Sequence, residues 1–252
     1  MIFIKTDAQI EVIRKAGRIV AETLAMIEKM IQPGISTAEI DRRAEDYILS
    51  RNALPAFKGY RGFPATVCIS IDEEVVHGIP GTRKLTEGQI VSVDLGTIVD
   101  GFYGDAAATF PVGEISDEKR RLIEVTRSAL ETGIAQVKAG RKLGAVSSAI
   151  QKHVESSGFS VVRDMVGHGI GKNLHEDPQV PHFGPDDAGP VLRKGMVLAI
   201  EPMVNSGGYK VNQKPDGWTI VTEDGLPSAH FEHTVAVTDN GSDILTLLQV
   251  IP

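Results

Sequence analysis

The segment VSVDLGTIVDGFYGDAAATF, residues 91–110, sets acidic residues into an otherwise apolar run. Asp100-Gly101 between two apolar stretches is a two-residue hairpin signal. With those residues as the turn, Asp94 faces Ala107. Asp105 then falls on the same face as a diagonal cross-strand neighbour, with Cα atoms roughly 7–8 Å apart. Asp is unfavourable in strands, and two like charges so placed repel. Protons can neutralise them by a raised pKa, or a cation can. The plain alternative is two solvated aspartates on an exposed face, although the Val, Ile and Ala neighbours point to a packed sheet.

Comparable settings recur. In GMVLAIEPMV, Glu201 ends an apolar run and Pro202 holds it extended. In AHFEHTVAVT, Glu232 opens another. His168 in VGHGIG lies between glycines that permit close backbone approach. Singly, a strand-end Glu is usually solvated and a lone His usually satisfies a core hydrogen bond. Together they make a set of two Asp, two Glu and one His. Four ionised carboxylates are neutralised by two divalent cations, the stoichiometry of a carboxylate-bridged pair of metals. Oxygen ligands with one imidazole suit Mn, Fe, Co or Zn. Cys68 is the single cysteine, so a cysteine-based zinc site is excluded.

These residues need elements to carry them. Ile10, Ile13, Gly17, Val20, Leu24, Ile27 and Ile31 recur at helical spacing. Thr6 with Gln9 fits a capping box, and Pro33-Gly34 ends this helix. Ser36 with Glu39 starts a second helix, with Ile40, Ala44, Tyr47 and Ile48 inward. Strands are expected at Ala65–Ile71 and Gln89–Ile98. Ser116 and Asp117 cap a helix expected to reach Lys138, followed by another with Val146, Ile150 and Val154 on one face. Aligning Gly34 with Gly140 superposes the two helix pairs, either a faint duplication or a coincidence of amphipathic helices. Later strands are expected at Ser160–Val166, Met196–Met203, Trp218–Thr222 and His230–Thr238, and a surface loop at Asn173–Pro190. One α+β domain over residues 1–252, built from two related halves, is the simplest account.

Composition sets bounds. The 252 residues carry 26 Lys plus Arg against 33 Asp plus Glu, a net charge of −7. That argues against nucleic acid as the main ligand, because phosphate binding favours a basic face. A single thiol suits a reducing compartment. Met1 to Gln32 contains no apolar run long enough for a signal peptide or membrane span. A cytoplasmic protein that does not bind membranes is expected.

The succession VDLG, GDAAATF, GHGIG, AIEPM and FEHTV resembles the metal signature of the type I methionine aminopeptidases, from about Lys5 to Leu247. The resemblance implies the pita-bread fold, two α+β halves around a curved antiparallel sheet and related by approximate twofold symmetry. It implies Asp94, Asp105, His168, Glu201 and Glu232 as ligands of two divalent ions (Co, Mn, Fe or Zn), with Asp105 and Glu232 bridging. It implies hydrolytic removal of N-terminal methionine from nascent peptides by a hydroxide between the ions, with Glu201 moving the proton and a small second residue preferred. His77 matches a histidine that contacts the scissile amide, and His175 one that hydrogen-bonds the carbonyl and tetrahedral intermediate. Tyr60, Phe63, Cys68 and Trp218 match an apolar methionine pocket. Leu174 and Gly96 depart from residues common at those positions.

The short form, bacterial or organellar, is expected, since neither a Cys-rich front extension nor the type II insertion is present. Such enzymes are usually monomers, and ribosome docking is left open. The proline-specific peptidases of the same fold share the ligand types but usually carry a large preceding domain. A binding module that had lost catalysis would have replaced ligands, and all five are present together with His77 and His175.

Overall fold

Helix α1 (Asp7–Glu28) starts at a capping box in which Thr6 and Gln9 satisfy each other's backbone N–H groups. Its stripe buries Ile13, Val20 and Ile27 completely. Gly17 lies within that stripe because the helix rests on a strand. A Cβ at Gly104 would sit 2.6 Å from the Gly17 backbone nitrogen, and the Thr97 hydroxyl donates to Ala16 O at 2.9 Å. α1 ends at Glu28, short of the Pro33-Gly34 signal, and turns fill the gap. α2 (Thr37–Ser50) is capped by Ser36. α3 (Asp117–Ile134) is capped by Ser116 and stops before Lys138. α4 (Gly144–Ser156) follows. The computed structural model describes residues 1–248.

The strands under α1 are Ile90–Val99 and Phe102–Pro111, antiparallel, with Val99 opposite Phe102. Asp100 and Gly101 both have positive φ, 47° and 76°, as the tight primed hairpin turn requires. Cys68–Ile71 and the short Leu54–Pro55 strand pair with the Ile90–Val99 strand. A second sheet of five strands has the spatial order Ser242–Ile244, His233–Val237, Val197–Ile200, Gly167–Gly169, Glu176–Val180.

The two halves repeat one plan. Gly34 and Gly140 have φ of 94° and 88°. Gly34 N–H donates to Leu85 O at 2.8 Å, and Gly140 N–H to Leu192 O at 2.9 Å. Gly88 and Gly195 share φ 84°, and Asp94 and Glu201 each stand six residues beyond one of them. Ile40, Ala44 and Ile48 pack in one core, Val146, Ile150 and Val154 in the other. The mixed helices and antiparallel sheets form an α+β pita-bread fold.

Some expected elements differ. The Asn173–Pro190 loop contains the strand Glu176–Val180. Asp177 and Pro178 disguise it, and it tolerates them because it is an edge strand. Ser160–Val166 shortens to Ser160–Val161. The expected Met196–Met203 strand divides at Glu201-Pro202, and His230–Thr238 divides at Phe231-Glu232. Both breaks fall at a carboxylate the sequence singles out. No helix among the described residues is long and apolar enough to cross a membrane.

Candidate metal centre and substrate pocket

Strand alternation decides where the acids point. Gly104 faces α1, so Asp105 projects from the opposite face. The register sets Asp94 opposite Ala107 and Gly96 opposite Asp105, the diagonal arrangement expected. Glu232 N–H donates to Ala107 O at 2.9 Å, which ties the second half to this hairpin. His168 is the middle residue of Gly167–Gly169 and pairs with Ala199. Glu201 follows the Val197–Ile200 strand, and its N–H donates to His182 Nε2 at 3.1 Å.

Asp105, His168 and Glu232 offer ligand atoms that all lie within 4.8 Å of one another. Glu201 Oε1 is 3.5 Å from His168 Nε2, and Asp94 lines the same cavity. All five predicted residues therefore converge. His168 Nδ1–H donates to Gly169 O at 2.9 Å. That bond fixes the tautomer and leaves the Nε2 lone pair toward the carboxylates.

The electrostatics are those of buried, mutually repelling acids. Asp94 Oδ1, Asp105 Oδ1 and Glu232 Oε1 are buried and find no hydrogen-bond partner among the described residues. Burial, followed by repulsion from Asp105, pushes the Asp94, Glu201 and Glu232 carboxyls well above their ordinary range. Burial lifts Asp105 to about 7, against the hydrogen bond from Asp94. Burial holds His168 down at about 4, so its imidazole is neutral near pH 7. Isolated buried carboxylates are expensive. Divalent cations would satisfy the orphaned oxygens, and the donor set fits them.

The cavity beside the acids has a volume of about 220 Å³ and is lined by Tyr60, Phe63, Cys68, His77, His175 and Trp218, every pocket residue the sequence named. Phe63 meets Trp218 edge-on, ring centroids 5.1 Å apart. His77 sits at φ 60°, a conformation uncommon for non-glycine residues and worth reading functionally. Tyr60 Oη lies 2.8 Å from His175 Nδ1. The crowded cavity, and secondly His168, lower His175 to about 3. Leu174 is buried against this cavity. Gly96 leaves room for an aromatic wall, because a Cβ there would lie 3.1 Å from the Phe57 ring.

Sequence reasoning missed Phe57, Arg61 and Met165 in the lining, and two histidines beside Glu201. His182 and His230 are 0% and 1% exposed, and His230 Nε2 is 3.8 Å from Glu201 Oε2. The motif AHFEHT contained a signal for His230, two positions before Glu232. His182 carried none.

The model of metallopeptidase family M24 matches residues 11–239. A methionine aminopeptidase of Clostridium acetobutylicum is 55% identical over 99% of this chain and 100% of its own length. Methionine aminopeptidase 1 of Bacillus subtilis is 53% identical over 98% of this chain and 99% of its own. The crystal structure of a methionine aminopeptidase from Thermotoga maritima superposes with a TM-score of 0.97 at 50% identity, covering 98% of this chain and 100% of that one. With likeness of that extent across its length, and acids converging as a metallopeptidase needs, the chain belongs to metallopeptidase family M24, on the branch of the bacterial methionine aminopeptidases.

Proposed function

We propose that this chain acts as a single domain over residues 1–252 (249–252 lie outside the described residues), and removes N-terminal methionine from nascent polypeptides with two divalent ions held by Asp94, Asp105, His168, Glu201 and Glu232. Co, Mn, Fe and Zn all suit these donors. The observation that carries this reading is the convergence of buried, unpartnered carboxylates beside an apolar cavity. A working monomer in the cytoplasm is part of the same proposal, as is access to peptides leaving the ribosome.

Bound there, divalent ions supply a Lewis acid and lower the pKa of a coordinated water. The protein's residues do the rest. Glu201, at the edge of the acidic cluster with Oε1 3.5 Å from His168 Nε2, accepts the proton of the attacking water and passes it to the leaving amine. Its backbone is held by His182. Neutral His175 donates to the carbonyl oxygen as negative charge develops. With its hydroxyl proton on Nδ1, Tyr60 keeps the other ring nitrogen, Nε2, as the donor. His77 meets the scissile amide. Phe63, Cys68 and Trp218 enclose an unbranched thioether, a side chain that favours aromatic and sulfur surroundings.

The activity is tested with peptides. Met-Ala-initiated peptides should release methionine with each of several added divalent ions. Xaa-Pro substrates should be cleaved at least about 100-fold more slowly, a difference of roughly 3 kcal/mol in transition-state binding. Preferential cleavage of Xaa-Pro would assign the site to a proline-directed peptidase.

A further inference from the structure

Lys5 and Glu176 form an ion pair at 2.6 Å with side chains only 5% and 2% exposed. Removing two charges so fully from water is costly, and packed apolar residues often fill such space at less cost. What the pair holds is the chain between His168 and His175. Glu176 directly follows His175, and its two oxygens divide their work. Oε2 takes the Lys5 ammonium, while Oε1 accepts Asn173 N–H at 3.1 Å. An apolar residue could not satisfy that backbone donor.

The loop is pinned closely. A Cβ on Gly171 would lie 2.4 Å from Lys5 Cε and 2.9 Å from Glu176 Oε1, so the pair packs directly on the loop backbone. Gly171 N–H donates to Asn173 O at 3.1 Å, and Gly171 O accepts Tyr103 N–H at 2.9 Å. Lys5 is itself anchored, its N–H donating to Gly195 O at 2.7 Å and its ammonium to Phe3 O at 3.3 Å. Gly195 precedes the strand that leads to Glu201.

We infer that the Lys5–Glu176 ion pair is a positioning device for His175, holding the Gly171–Leu174 turn so that the imidazole meets the reacting carbonyl oxygen. Tyr60 steadies the ring from one side and the ion pair steadies its backbone from the other. The inference rests on the reading of His175 as the donor to that oxygen.

The test uses the metal-loaded enzyme and a Met-Ala peptide. Lys5→Met keeps the side-chain length and removes the charge. It should lower kcat roughly 10- to 100-fold, the cost of a misplacement near 1 Å. KM and metal uptake by calorimetric titration should stay near wild type. Glu176→Gln keeps an oxygen for Asn173, loses the charge, and should behave alike; it carries the test if Lys5→Met does not fold. His175→Ala alone should lower kcat, and adding Lys5→Met to it should lower kcat no further.

Additive losses in the double variant would make the pair a general structural feature and overturn the inference. Parallel loss of metal uptake would move the effect to His168 and overturn it equally. Wild-type kcat in Lys5→Met and Glu176→Gln, beside an impaired His175→Ala, would sink the inference alone. Full kcat in His175→Ala would fail the reading of His175 and the inference with it.

Discussion

Glu232→Ala and Asp105→Ala should each reduce release of methionine from a Met-Gly-Met peptide by more than about 100-fold, since losing groups that merely orient metal ligands already costs 10–100-fold. Both side chains are buried, 2% and 4% exposed, and both sit within the group whose ligand atoms lie within 4.8 Å. Thermal melts of the metal-free variants beside the metal-free parent separate lost chemistry from lost folding. Full activity in either variant, measured by released methionine, would contradict a bridging role.

Chelator should lower the melting temperature, and by more at higher pH. One divalent ion present at about 100 times its Kd stabilises by about 2.7 kcal/mol, which for a chain of this length moves the melting temperature roughly 5–10 °C. The direction with pH follows from Asp105, whose carboxyl is lifted to about 7 by burial, and from Asp94, Glu201 and Glu232, also raised. A raised carboxyl contributes stability that is complete below its unfolded pKa near 4 and is lost as pH climbs through the folded value. The metal-free protein should thus weaken between about pH 4 and pH 7 on this account. Metal replaces those protons, so the metal-loaded form escapes the loss. Buried imidazoles such as His182 and His230, lowered to about 3 by burial, act oppositely below about pH 6.5. They do so in both forms and largely cancel in the difference. Thermal melts with and without chelator at pH 5 and pH 8 read this directly. An equal or smaller gap at pH 8 would count against it.

What was legible in the sequence depended on how locally each feature is fixed. Asp94 and Asp105 could be paired because a two-residue turn at Asp100-Gly101 dictates every partner along both strands. Helix starts were readable from Thr6, Ser36 and Ser116, which cap as expected. Helix ends were not, because turns after Glu28 and Ile134 continue the apolar pattern without helical geometry. The Glu176–Val180 strand was hidden by its proline and aspartate, which only an edge position tolerates. Motif spacing brought His77, His175 and the methionine-pocket residues into view, and the cavity gathers them. His182 was invisible, since nothing local marks a histidine whose partner is the backbone of Glu201. Lys5 was equally so, with its carboxylate 171 residues away.

The central claim is that five side chains distant in sequence surround two divalent ions. Crystals grown with excess manganese and measured at its absorption edge test this most directly. The expected anomalous map has two adjacent peaks in the cavity, bounded by Asp94, Asp105, His168, Glu201 and Glu232. A cavity free of anomalous density, with those carboxylates turned toward solvent, would contradict it.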